Sequence, residues 1–163
     1  MPEIFTDHLE TPIGRLEIRS VNAGILSVNF VERPGGGRRK RPEAHGRPAV
    51  LEACLSQLGE YFRGERTSFD LPLRLEGTDF QRRVWSALVR IPYGRTTTYL
   101  DLAAAVGNVR ATRAVGGANH RNPVSIIVPC HRVIGSDGGL TGYGGGLWRK
   151  EWLLDHERKH LRG

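Results

Sequence analysis

Ser125-Ile126-Ile127-Val128-Pro129-Cys130-His131-Arg132-Val133-Ile134 is the stretch around which the rest of the chain arranges itself. Its β-branched residues Ile126, Ile127 and Val128, resumed by Val133 and Ile134, predict a short buried strand interrupted by Pro129. Cys130 then sits at the end of a rigid element. A thiol is a strong nucleophile near neutral pH, but at its reference pKa of about 8.5 little of it is thiolate, so it needs a base or a positive neighbour. His131 and Arg132 are the nearest candidates. On an extended strand, residues i and i+1 point to opposite faces, so His131 reaches Cys130 only through a backbone turn after Pro129 or a bridging water. For an isolated cysteine the commoner meaning of such a run is an inert buried thiol, and the rest of the chain must decide.

The totals narrow the field. A chain of 163 residues is long enough for one good core or two small domains. No stretch reaches the ~18 consecutive apolar residues of a membrane span, and Met1-Pro2-Glu3 opens without the basic and apolar regions of a signal peptide, so a soluble, cytoplasmic protein is expected. Cys54 and Cys130 have no Cys-x-x-Cys spacing and no His cluster beside them, which argues against a disulfide framework and a structural zinc site. Cys54 reads as core. The formal charge of +7, carried mostly by Arg, suits a polyanionic partner, because guanidinium pairs with phosphate in a two-pronged geometry.

Residues 3–31 read as antiparallel β-structure, most simply a hairpin: Gly14 to Arg19 alternates with period two, Asn22-Ala23-Gly24 supplies a turn, and Ile25 to Phe30 alternates loosely. Arg33 to Pro48 has three consecutive glycines, Arg38-Arg39-Lys40-Arg41 and three prolines, which predicts a mobile loop. Ala49 to Phe62 has helical apolar spacing, ended by Gly64. Phe69, Leu71, Leu73 and Leu75 alternate around Pro72, as in an edge strand or extended connector. A boundary falls near Leu75-Glu76-Gly77, giving domains 1–76 and 77–163.

The second half opens on Thr78-Asp79-Phe80-Gln81, an N-cap with Gln at N3, leading an apolar helical face to Ile91-Pro92. Thr98 can cap a short helix through Val106, which Gly107-Asn108 stops, and a second helix follows over about Ala111 to His120. Two short helices joined by a Gly-containing turn in a basic chain are the outline of a helix-turn-helix. The second one holds Gly116 and Gly117, each costing about 1 kcal/mol relative to Ala, so a close approach to another helix or to a groove must compensate. Arg113 near its start favours an anion. Gly135 to Gly146 is too Gly-rich for regular structure and lacks the Lys of a P-loop; it reads as a loop whose N–H groups approach a planar ligand, with Tyr143 as one wall. The last helix spans Leu147 to about Leu161, with Trp148, Trp152 and Leu153 expected in the core. Glu157 on it could orient a His that activates a Cys, although spacing cannot say whether it reaches His131.

Together, Tyr99, Arg113-Ala114-Val115-Gly116-Gly117-Ala118, Asn122-Pro123, Pro129-Cys130-His131-Arg132-Val133, Gly142-Tyr143 and Leu153-Leu154-x-His156-Glu157 resemble the O6-alkylguanine-DNA alkyltransferases, also called methylated-DNA–protein-cysteine methyltransferases. The likeness is close over Thr78 to Glu157 and more diffuse over residues 3–75. It implies an α/β (α+β) fold, with a small RNase H-like N-terminal domain of β-hairpin or sheet plus helix, followed by a mostly helical domain with a helix-turn-helix. It implies suicide DNA repair: Cys130 takes the alkyl group of O6-alkylguanine from double-stranded DNA, once, with no cofactor, by a protein acting as a monomer. His131 would be the base, acting through a water and oriented by Glu157. Asn122 would fix the turn that presents the site. Arg113 would replace the flipped nucleotide in the base stack, with Ala114, Gly117 and Ala118 lying in the minor groove. Tyr99 would meet the flipped base, supported by Lys150. Tyr143 would line the pocket, the N–H of Gly144 would face O6, and the carbonyls of Cys130 and Val133 would accept from the exocyclic amine. Some members carry Ser at the position of Gly144, and some bind zinc through N-terminal Cys and His residues; Cys54, His8 and His45 cannot supply that set, so no metal is expected. O4-alkylthymine as a second substrate and cooperative binding along DNA stay open.

Two other readings compete. A module that recognises alkylated DNA without reacting would lack the cysteine present here. A cysteine hydrolase built on Cys130, His131 and Glu157 would turn over repeatedly, and the basic charge, Arg113 and the Gly-rich helix argue against it.

Overall fold

The computed structural model describes residues 2–31 and 46–161. The chain divides into two compact units, Met1–Leu75 and Glu76–Gly163.

Unit 1 is a three-stranded antiparallel sheet, β1 (Phe5–Thr11), β2 (Gly14–Val21) and β3 (Gly24–Val31), in the order β1-β2-β3. The expected hairpin is thus a meander with one strand more. The pattern hid β1 because Asp7, buried at 3% exposure, occupies an inward position that binary patterning reserves for an apolar side chain. Arg47 pairs with it and donates 2.6 Å from Nη1 to Glu52, so the buried carboxylate is compensated. A bulge at Arg19/Ser20 shifts the β2–β3 register. Helix α1 (Ala49–Phe62) packs on the sheet, and its Leu51, Cys54, Leu58 and Tyr61 are buried, as are Leu16, Ile18, Ile25 and Val28 of the strands. Cys54 is core, as read from sequence. Residues 69–75 form a connector touching the sheet through a bridge from Leu73 to Ile25. Of the loop expected over Arg33 to Pro48, residues 33–45 lie outside the described residues, while Pro48 is the N-cap of α1 and Arg47 is anchored as above.

Unit 2 holds α2 (Asp79–Val89), β4 (Thr97–Thr98), α3 (Tyr99–Ala105), α4 (Thr112–His120), β5 (Val133–Ile134) and α5 (Leu147–Lys159). The capping box at Thr78 and Gln81 forms with both reciprocal bonds, 3.1 Å and 3.0 Å. Thr98 caps α3 through the N–H of Asp101 at 3.0 Å. Gly107 takes φ +91° to end the turn after α3, a conformation that glycine adopts without strain, and Asn108 ties the α3–α4 connection by accepting from Arg110 N. Helices α3 and α4 pack on each other and on α2, the expected helix-turn-helix arrangement. The core runs through Val84, Trp85, Leu88, Leu102, Val115, Val128, Val133 and Leu153.

Two expectations are corrected here. The predicted strand over Ser125 to Val128 is a tight turn: Ile126 has φ +73°, rare for a β-branched residue, and Cys130–Arg132 is one turn of 3-10 helix. Only Val133–Ile134 is strand, paired parallel with β4. The run is buried, as its β-branched residues require, but not extended. Trp148 is 57% exposed rather than in the core, with the Arg149 guanidinium 4.6 Å over its ring, because the inward face of α5 is taken by Arg149, Lys150, Leu153, Leu154, His156 and Glu157. Among the described residues no helix is long and apolar enough to cross a membrane.

Candidate active site

The turn that replaces the strand is built by Asn122. Its Nδ2 donates to the Val128 carbonyl at 2.8 Å and its Oδ1 accepts from Val124 N at 3.0 Å, closing residues 122–128 into a loop over the Asn122 side chain. Pro129 then leads directly into the 3-10 turn, whose first residue is Cys130, 6% exposed. Asn119, also buried, donates 3.4 Å from Nδ2 to the Cys130 carbonyl.

His131 is fully buried and its Nε2 lies 2.7 Å from Oε2 of Glu157, itself fully buried on α5. A contact across 26 residues of chain settles what spacing could not. With Nε2–H donating to the carboxylate, Nδ1 carries the free lone pair, and among the described residues no protein group bonds to it. Burial of the ring holds His131 below its ordinary pKa despite Glu157, with Arg132 and Lys150 adding to the drop, so the imidazole is neutral near pH 7 and able to accept a proton. Burial would push Glu157 up, but the hydrogen bonds from His131 and Arg132 and the permanent charge of Arg132 outweigh it and keep the carboxyl well below the usual range. Burial raises the Cys130 thiol, only partly opposed by the Asn122 amide and the Lys150 charge beside it. Resting Cys130 is therefore a thiol awaiting a base.

That state has a direct test. Both thiols of the free protein should react with iodoacetamide more slowly at pH 7 than a cysteine in a short peptide. Cys54 is pushed up to about 12 by burial and should stay unreacted, whereas the Cys130 rate should climb as pH is raised through 9. Peptide mass spectrometry reads both sites separately; a Cys130 rate at pH 7 above that of the peptide contradicts the assignment.

The Gly-rich segment is held from α5. Lys150, buried, donates 3.0 Å from Nζ to the Thr141 carbonyl, and Arg149 donates 2.9 Å from Nη1 to the Gly145 carbonyl. Thr141 in turn donates 2.9 Å from Oγ1 to the Tyr99 hydroxyl. Lys150 thus reaches Tyr99 through Thr141, not by a contact of its own. Tyr143 is part-buried with a buried hydroxyl, and burial, with Cys130 adding to it, raises its pKa well above normal, so it stays a neutral phenol. A Cβ at Gly144 would meet nothing within 4 Å, so the fold itself does not demand glycine there. Val133 is buried and pairs with Thr97.

On α4, Arg113 and Ala114 are exposed and Gly117 is part-exposed. Ala118 departs from expectation: at 3% exposure it faces inward with Val115 and Asn119, and its carbonyl accepts from the Trp85 indole at 2.9 Å. Positions 115, 118 and 119 share one face by the i, i+3, i+4 rule, which leaves Ala114 and Gly117 on the other. A Cβ at Gly116 would make ordinary 3.8 Å contacts with Tyr99, and one at Gly117 would meet only the mobile tip of Arg121, so internal packing does not account for these glycines. Nearby, Arg82, Arg83 and Arg90 line a surface groove of about 570 Å³ between α2 and the end of α3.

Arg132, read from the sequence as a positive neighbour for Cys130, is instead spent on Glu157 and Ile91. Its Nε and Nη2 donate to Glu157 at 2.8 and 3.0 Å and its Nη1 to the Ile91 carbonyl at 2.7 Å. The signal was available: a guanidinium inside an apolar run predicted to be buried requires a buried partner.

Two family models match the chain: "6-O-methylguanine DNA methyltransferase, DNA binding domain" over residues 79–159 and "6-O-methylguanine DNA methyltransferase, ribonuclease-like domain" over residues 4–75. A methylated-DNA–protein-cysteine methyltransferase of Methanosarcina barkeri is 48% identical over 161 residues, covering 98% of this chain and 100% of the relative. The crystal structure of the Mycobacterium tuberculosis O6-methylguanine methyltransferase superposes with a TM-score of 0.85 at 41% identity, over 99% of this chain and 96% of that one. A crystal structure of Mycobacterium tuberculosis OGT in complex with DNA gives 0.82 at 44% identity, over 94% and 92%. With both halves of its fold matched in order and a relative aligned along its whole length, the chain belongs to the 6-O-methylguanine DNA methyltransferase family.

Proposed function

We propose that this protein repairs DNA by direct reversal, moving the alkyl group of O6-methylguanine in a duplex onto Cys130 in a single irreversible turnover. The observation that carries the reading is the buried Cys130-His131-Glu157 series, a thiol whose next residue along the chain is a buried imidazole bonded to a carboxylate at 2.7 Å. The thiol proton passes through a water to His131 Nδ1, and the thiolate attacks the alkyl carbon in line. The S–C bond forms as the C–O6 bond breaks, and its electron pair stays on the guanine, which takes up a proton to balance the one lost from sulfur. Glu157 orients His131 and stabilises the imidazolium as it forms. The thioether product is not reversed by water, so the protein is consumed by its own reaction.

O6 is out of reach of a buried thiol while the base is stacked, so the nucleotide must leave the helix, most cheaply at a damaged pair. Arg113 fills the gap, and the surface of Ala114 and Gly117 lies against the minor groove, a role supported by glycines that internal packing does not explain. Ala118 supports α4 from inside. Tyr99 meets the flipped base, held through Thr141 by Lys150; Tyr143 walls the pocket, the N–H of Gly144 stabilises charge on O6, and the carbonyls of Cys130 and Val133 read the exocyclic amine. Asn122 keeps the turn that presents the thiol. Unit 2 has 13 of the 24 Lys and Arg residues but 7 of the 17 Asp and Glu, the charge balance a DNA-facing unit needs. The protein works as a monomer in the cytoplasm, with the domain division near residue 76.

Loss of the lesion from a duplex carrying one O6-methylguanine should saturate at one lesion per protein molecule. Repeated turnover would indicate the hydrolase; binding without loss would indicate a recognition module. Arg113→Ala should slow repair of the duplex by about 5- to 150-fold, the equivalent of about 1–3 kcal/mol of lost stacking, and leave reaction with free O6-methylguanine base unchanged. Equal slowing of both substrates would contradict its role in flipping.

A further inference from the structure

Arg132 has no part in the proton path above, yet every prong of its guanidinium is used. Two prongs hold Glu157, one holds the Ile91 carbonyl, and the guanidinium lies 5.7 Å from the centre of the Tyr93 ring. The carboxylate is equally committed: Oε2 is shared between His131 Nε2 and Arg132 Nη2, while Oε1 accepts from Arg132 Nε and, at 3.3 Å, from the N–H of Gly94. Glu157 and Arg132 therefore grip both ends of the turn over residues 91–94. That turn leads into β4, whose Thr97 and Thr98 pair with Val133 and Ile134, and Tyr99 follows directly.

The charge arrangement is specific as well. The charged groups facing His131 are Glu157 and Lys150 from α5 and Arg132 from its own turn. Were Glu157 paired with His131 alone, the carboxylate would favour imidazolium, and a protonated ring cannot take the thiol proton. A permanent cation on the same carboxylate offsets that pull.

We propose that Arg132 is a positioning residue for alkyl transfer, with two separable tasks: its charge keeps His131 available as a base, and its fork to Ile91 fixes the turn that delivers Tyr99 to the substrate. The inference rests on the alkyl-transfer reading given above. It concerns a residue that touches neither the alkyl carbon nor the proton in flight, and so predicts changes in pH dependence and apparent affinity.

The test uses the full chain and a duplex bearing one O6-methylguanine, with single-turnover methylation of Cys130 followed against pH and duplex concentration. Arg132→Gln removes the charge. The pH midpoint of its acid limb should rise by about one unit, so that its limiting rate is about tenfold down well below the wild-type midpoint, at most about threefold down at pH 7, and recovers as pH is raised. Arg132→Lys keeps the charge and loses the fork: its midpoint should stay within about 0.3 unit of wild type, while the half-saturating duplex concentration rises at least about threefold. A pH profile of Arg132→Gln parallel to wild type would overturn the first task. An unchanged half-saturation in Arg132→Lys would overturn the second. Should Arg132→Gln fail to fold, Arg132→Lys alone decides, because a displaced midpoint in a variant that retains the charge contradicts the account. Absence of Cys130 methylation in the wild type would instead remove the alkyl-transfer reading itself, a failure visible before any variant is compared.

Discussion

Alanine at His131 should slow methyl transfer to Cys130 by about 10²–10⁴-fold at pH 7, the range set by loss of a positioned general base. The size follows from the resting state of the thiol. Burial raises the Cys130 pKa, and the Asn122 amide and Lys150 charge offset only part of that rise, so almost none of it ionises near neutrality without help. His131 is the neighbour able to help, because it is neutral and its Nδ1 is free of protein partners among the described residues. Raising the pH supplies thiolate without a base, so the deficit of His131→Ala should shrink progressively above pH 8. Single-turnover rates across pH test this, and a deficit below about threefold at pH 7 would remove His131 from the proton path. Glu157 keeps its Arg132 partner in this variant, so the fold should survive.

Glu157→Ala should be the most damaging substitution for stability, lowering it by about 3–5 kcal/mol, because it strands the buried Arg132 guanidinium. Glu157→Gln retains part of the hydrogen bonding and should lose less. The same group sets an acid dependence whose sign is fixed. His131 has a folded pKa below its ordinary 6.5, so the folded protein binds fewer protons than the unfolded chain and stability falls as pH drops below that value. Glu157 is held below its ordinary 4.5, so its contribution is complete above that pH and is lost progressively as pH falls further. Urea unfolding between pH 8 and 3 should show the decline beginning near 6.5 and steepening under 4.5, with the second part absent in Glu157→Gln. A wild-type curve flat from pH 7 to 4 would contradict the burial of this ion-pair set.

Local signals carried most of the helical half. The Thr78 and Gln81 box, the Thr98 cap and the Gly107 stop are short-range chemistry, and the helices begin and end close to where those residues place them. Where a long-range contact decided the outcome, pattern failed. β1 was hidden because Asp7 becomes tolerable inside only through Arg47, some forty residues away. Ile126 to Val128 announced burial, but the Asn122 side chain turns the backbone back on itself and overrides the extended preference of β-branched residues. Hydrophobicity places Trp148 in the core, yet α5 turns its charged residues inward onto buried partners: Glu157 meets His131 and Arg132, and Lys150 meets Thr141. The motif names the candidate residue types; the bond between Glu157 and His131, the relay from Lys150 to Tyr99 and the inward turn of Ala118 required coordinates.

The decisive measurement is peptide mass spectrometry of the protein after incubation with a duplex carrying a single O6-methylguanine. The prediction is a gain of one methyl on the peptide containing Cys130, saturating at one per molecule, none on the peptide containing Cys54, and none anywhere in Cys130→Ser. A lesion that is bound but keeps its methyl, or a methyl found on any residue other than Cys130, would contradict it.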